Sequence, residues 1–202
     1  LGGQSYAGKT LVGLDLCLSV IYGRHFHGNK VKRGSVLWLA AESQDEIEPR
    51  LFAARRELYN DDSNSALPFM LTDEVPSGDL PSVLNSIESM VGKACESATE
   101  RFPDHPLRLV VIDTLGATFP LKEENDNAGA AQLMRRLNEI ARAHGVVVLV
   151  IHHFGKDAAT GLRGASAFSG GADSIIVCKT DIDPQTGLDR GERSLSVTKV
   201  RG

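Results

Sequence analysis

The octapeptide GQSYAGKT, residues 3–10, constrains this chain more than any other stretch. It satisfies G-x-x-x-x-G-K-[ST] at every fixed position, and the amphipathic run KTLVGLDLCLSVIYG (9–23) follows without a break. The glycines let the backbone wrap its N–H groups around an anion, and a helix starting near Lys9 adds the positive end of its dipole. In such a loop the lysine, Lys9, reaches the β- and γ-phosphates of a nucleotide, and the Thr10 hydroxyl is offered to Mg²⁺. The stretch Gly3, Gln4, Ser5, Tyr6, Ala7, Gly8, Lys9, Thr10 and Leu11 is therefore the expected nucleotide-binding segment. A strand normally feeds a loop of this kind. Only Leu1 and Gly2 precede Gly3, so that strand is expected to be missing and the chain reads as N-terminally truncated.

Apolar periodicity alternates between helical and strand-like along the rest of the chain. Buried strands are expected at 35–41, 68–73, 107–113, 146–152 and 173–179, each apolar nearly throughout. Amphipathic helices are expected at 44–58, 79–98 and 127–145, the last closed by Gly145. Residues 181–191 read as turn-rich, and RSLSVTKV (193–200) alternates like an antiparallel edge strand. Continuous apolar strands separated by helices predict an α/β fold, a mainly parallel sheet covered on both faces and ending in antiparallel strand structure. With no repeat, low-complexity tract or linker, residues 1–202 are expected to form one domain. Ligands of such sheets sit at the carboxyl ends of the strands.

Two acids stand at such ends. Asp113 closes LVVID and is placed to support the Mg²⁺ shell. Glu42 follows VLWLAA, where a carboxylate can polarise the water that attacks a γ-phosphate. A GTPase reading competes: DTLG (113–116) satisfies D-x-x-G, and CKTD (178–181) distantly resembles N-K-x-D. Cys178 occupies the Asn position of that second motif, however, and the GTPase reading leaves Glu42 and the tandem histidines His152 and His153 unused. A small-molecule kinase would need an acceptor pocket and lid arginines that the sequence does not display.

Taken together, Gly3–Thr10, Glu42, Asp113, the His-His strand end, GLRGASAFSGGADSIIV (161–177) and the terminal TKVRG resemble the RecA-type ATPases over essentially the whole chain. Within them the pattern is most similar to the plasmid and phage replicative helicases of the RepA/DnaB kind. That resemblance implies a RecA-like P-loop core, Mg²⁺-dependent ATP hydrolysis, a hexameric ring with ATP at subunit boundaries, and movement on single-stranded DNA. It also implies that Lys199 and Arg201, matching the family's K-x-R pair, reach into the neighbouring subunit's site. One of the tandem histidines is implied as a γ-phosphate sensor; His152, which directly ends the apolar run, is the favoured one. The DNA contacts are expected on the loop FGKDAATGLRGAS (154–166), from Lys156 and Arg163. The acidic loop 114–127 is the poorer candidate. Thr114 departs from relatives that carry a second acid after the Walker B aspartate. A RecA-like or clock-type ATPase that binds or regulates without unwinding is the alternative.

The remaining features narrow the setting. A net charge of −4 argues against a uniformly basic nucleic-acid coat while permitting a local basic groove. The three cysteines, Cys17, Cys95 and Cys178, are scattered outside any CxxC spacing and read as reduced thiols of a cytoplasmic protein. Adjacent strand residues point to opposite faces, so His152 and His153 are not expected to share a metal ion. HFH (25–27) reads as surface.

Overall fold

A computed structural model describes residues 1–4, 6–121, 126–153, 166–183, 186 and 189–201. Seven strands form one sheet in the order β3-β2-β4-β5-β1-β6-β7. They are β1 (Gly2–Gly3), β2 (Ser35–Ala40), β3 (Phe69–Thr72), β4 (Leu107–Asp113), β5 (Val147–His153), β6 (Ser174–Ile182) and β7 (Asp189–Val200). All neighbouring pairs are parallel except β6–β7. The strand expected to be missing is therefore present as the two-residue β1, with Gly2 and Gly3 paired to His152 and His153 on one side and to Val177 and Cys178 on the other. Gly3 has to be glycine, because a Cβ there would collide with the Cys178 carbonyl oxygen.

Strand parity divides the core into two layers. On one face Val36, Trp38, Leu109, Val111 and Ile151 pack against Leu14, Cys17, Leu18 and Ile21 of helix α1 (Lys9–Tyr22) and Ile47 and Leu51 of α2 (Gln44–Tyr59). On the other, Leu37, Leu39, Val110 and Ile112 meet Val83, Leu84 and Ile87 of α3 (Leu80–Arg101) and Leu133, Leu137 and Ile140 of α5 (Asn127–His144). Strands buried on both faces need apolar residues at nearly every position, which is why β2 and β4 are continuous apolar runs. Trp38 is fully buried and its ring sets the approach of α1, since a Cβ on Gly13 would come within 2.9 Å of it.

Local chemistry fixes the helix ends. Asp79 accepts a hydrogen bond from the Ser82 N–H at 2.9 Å and Asp126 one from the Gly129 N–H at 2.9 Å, each satisfying an amide that the first turn leaves open. Two short helices lie outside the sequence expectations, α4 (Leu115–Thr118) and α6 (Ser166–Gly171). After α2, the buried Arg55 guanidinium binds the Tyr22 hydroxyl, Asp61, Ser63 and Ser65, tying the segment that leads to β3 back onto α1 and α2. Among the described residues, no helix is long and apolar enough to cross a membrane.

Candidate active site

The carboxyl ends of β2, β4 and β5 and the loop after β1 open onto a cavity of about 510 Å³. Tyr6, Gly8, Lys9, Thr10 and Leu11 line it, facing Glu42, Asp113, Thr114 and His153. Gly8 turns the chain into α1 with φ 82°, a left-handed conformation that glycine adopts at no steric cost. Lys9 is buried, and its ammonium donates to the carbonyls of Gly3 at 3.2 Å and Gln4 at 2.7 Å, closing the loop around Nζ. Burial pushes the Lys9 pKa down, while the negative charges of Asp113 and Glu42 act against that shift. Ala7 is buried beneath the loop, and Ser5 lies outside the described residues.

Asp113 accepts a hydrogen bond from the Thr10 hydroxyl at 3.3 Å, bringing two hard oxygen ligands together at the mouth of the loop. Desolvation is the main cause that raises the Asp113 pKa to about 6. The folded chain thus keeps a proton that an unfolded carboxyl releases near 3.8. Stability gained from this proton is complete below that lower value and is lost as pH rises from about 4 to about 6; above it the buried carboxylate is a standing cost. Asp113→Asn is therefore expected to stabilise the nucleotide-free chain at pH 7, by on the order of 1–3 kcal/mol, and to leave its stability at pH 4 unchanged. Thermal melts at the two pH values check this.

Glu42 is held from two sides. The Thr114 hydroxyl donates to its Oε1 at 3.2 Å, and His153 Nε2 stands 3.7 Å from its Oε2. Thr114 thus supports Glu42 at the position where the resemblance led to a second acid. Burial and the nearby Lys9 charge lower the His153 pKa, opposed by Glu42, so a neutral imidazole dominates at neutral pH.

The two histidines part company here. His153 lines the cavity, whereas His152, favoured from the sequence, lies on the opposite face of β5 with its ring 5.7 Å from that of Phe168 in α6. The physical reason is parity. Ile151 and His153 share the face of β5 that packs on α1 and the P-loop, and a shift of one residue moves a side chain to the other layer.

Lys199 and Arg201 stand apart from the cavity. Lys199 Nζ donates to the carbonyls of Ser169 at 2.5 Å and Gly170 at 3.2 Å; Arg201 donates to the Gly170 carbonyl and pairs with Asp173 at 3.5 Å. Cations at the carbonyl end of α6 suit the exposed acceptors of its last turn. Lys156 and Arg163 lie outside the described residues. The CKTD tetrapeptide runs within β6, its Cys178 paired to Leu195 and its Thr180 to Arg193. A guanine-reading motif needs its side chains free at a strand end, so this placement speaks against the GTPase reading. His25 and His27 are exposed, as the sequence suggested.

Sequence reasoning missed one wall. Ser43, Glu46, Ile47 and Arg50 line the cavity from α2. Their spacing of three, four and seven residues from Ser43 is a helical stripe continuing from Glu42, and that stripe was the available signal.

A central parallel β-sheet carrying a P-loop at β1, with a carboxylate after β2, a second at the end of β4 and a histidine at the end of β5, defines a RecA-like P-loop ATPase domain. The chain belongs to the AAA domain family, whose model matches residues 1–159. Its fold is similar to that of a solved helicase ATPase domain, with a TM-score of 0.65 and 16% identity over 99% of this chain and 75% of that one.

Proposed function

We propose that this chain is an ATP-hydrolysing motor domain of a replicative DNA helicase, working as a homo-oligomeric, ring-forming and cytoplasmic protein on single-stranded DNA. One observation carries the reading: Lys9, Thr10, Asp113, Glu42 and His153 converge on a single cavity at the carboxyl ends of adjacent parallel strands. The likeness to the solved helicase ATPase domain supports the motor assignment.

The Thr10 hydroxyl and Asp113 carboxylate fit Mg²⁺, a hard cation that takes oxygen ligands and keeps several waters and phosphate oxygens in its shell. When bound, the ion neutralises charge on the β- and γ-phosphates. The chain's own residues do the rest. Loop amides and Lys9 hold the phosphates, Glu42 accepts the proton of the attacking water, and His153 donates a hydrogen bond toward the γ-phosphate. Lys199 and Arg201 act on a neighbouring subunit's nucleotide, leaving the α6 carbonyls as they do so. Lys156 and Arg163 contact the DNA backbone.

The test is ATP-driven displacement of one strand from a forked duplex, run alongside phosphate release with and without single-stranded DNA. A helicase motor gives stimulated hydrolysis and displacement. Stimulated hydrolysis without displacement assigns the chain instead to the ATPases that bind or regulate without unwinding.

A further inference from the structure

Arg50 has no role in the chemistry described above, yet it lines the same cavity. It sits on the Ser43, Glu46, Ile47, Arg50 stripe of α2 and forms an ion pair with Glu46 one turn earlier. Both side chains are partly exposed, 43% for Arg50 and 55% for Glu46. Helical side chains lean toward the N-terminus, which carries the Arg50 guanidinium back toward the end of β2 and the Glu42 region.

The charge balance of the cavity gives this arginine its significance. Among the described lining residues, three carry carboxylates, Glu42, Glu46 and Asp113, against two full cations, Lys9 and Arg50. The Lys9 ammonium also serves two loop carbonyls. Without Arg50 one ammonium would face three acids, a poor arrangement for binding a polyanion. The Arg50 charge is also felt at Asp113, the residue that marks the β,γ-phosphate end of the loop.

We propose that Arg50 is a nucleotide-binding residue that leaves Glu46 to bind the terminal phosphate of a nucleoside triphosphate, with Glu46 as the competing anion that holds it in the free chain. This rests on the reading of the cavity as an ATP site. A solvent-exposed ion pair within one helix is weak, so it is exchanged at little cost. A phosphate offers the guanidinium two oxygens in fork geometry and more negative charge than a carboxylate. A diphosphate lacks the terminal group, so the exchange favours ATP over ADP.

A simple helix-stabilising pair predicts that removing either partner has the same small effect. The exchange predicts opposite signs. Titrations with fluorescent ATP and ADP analogues in Mg²⁺ are made on the wild-type chain and on Arg50→Ala, Arg50→Gln and Glu46→Ala, with thermal melts to confirm folding. Loss of a charge-assisted phosphate contact is expected to weaken ATP binding by about tenfold in both Arg50 variants, with a smaller change for ADP. Glu46→Ala is expected to tighten ATP binding by roughly two- to threefold, the release of a weak exposed pair. Unchanged ATP affinity in folded Arg50 variants, or weaker binding in Glu46→Ala, overturns the proposal for Arg50 while leaving the ATP site standing. Absence of ATP binding by the wild-type chain overturns both.

Discussion

Glu42→Gln is expected to bind ATP as well as the wild-type chain and to hydrolyse it about 10²–10⁴-fold more slowly, the usual contribution of a positioned general base. The expectation follows from how the residue is held. Ala41 donates its N–H to the Asp113 carbonyl at 2.8 Å, anchoring the end of β2 to the Walker B strand just before Glu42. The carboxylate then takes the Thr114 hydroxyl at 3.2 Å on one oxygen and approaches His153 at 3.7 Å with the other. Glutamine keeps the size and the acceptor for Thr114 but cannot take a proton from water. Binding therefore survives, and it gains slightly from removal of one negative charge near the phosphates. Equilibrium titration and steady-state phosphate release separate the two effects. Turnover unchanged by the substitution rejects Glu42 as the base.

The second large effect distinguishes the tandem histidines. His153→Ala is expected to lower turnover by about 10²–10³-fold, the cost of removing one donor directed at developing charge. His152→Ala is expected to leave turnover within a few-fold and to lower stability by about 1 kcal/mol through its lost ring contact with Phe168. For a chain of this size that amounts to a fall of roughly 2–4 °C in melting temperature. Kinetics and melts of both variants read the two faces of β5 independently. The reverse pattern, with catalysis lost in His152→Ala, assigns sensing to the face that packs on α6.

Much of this architecture was legible because the relevant signals are local. The P-loop announces itself in eight residues, and β2 and β4 are apolar at almost every position because both of their faces are covered. Asp113 and Glu42 were found by following those strands to their ends. What escaped detection depended on partners distant in sequence. Gly2 and Gly3 have no side chains to pattern, and only the flanking ladders of β5 and β6 make them a strand. The SAFSGG sequence of α6 is too short and small-residue-rich to show a period; Phe168, Lys199 and Arg201 hold it in place from elsewhere. Residues 181–191 read as turn-rich from their Asp and Gly content, yet the β6–β7 ladder extends to the pair Ile182 and Asp189.

The histidine assignment shows the same limit at single-residue scale. The apolar run ends at His152, which made it the natural choice. What decides is which layer holds the P-loop, and parallel pairing of Asp113 with Ile151 puts His153 one step beyond, on the Asp113 face. Arg50 was overlooked for a different reason. On a solvated helix an arginine four residues after a glutamate is commonplace, and only the position of α2 against the cavity distinguishes it.

The central claim is that this one cavity hydrolyses ATP, and phosphate release from Mg²⁺-ATP by the wild-type chain and by Lys9→Ala tests it most directly. Lys9 is expected to be indispensable, since its ammonium closes the loop on the Gly3 and Gln4 carbonyls and faces the phosphates. Turnover by the wild type that falls to background in a folded Lys9→Ala chain is the expected result. No turnover by the wild type, with or without single-stranded DNA, or equal turnover by the two chains, contradicts the assignment.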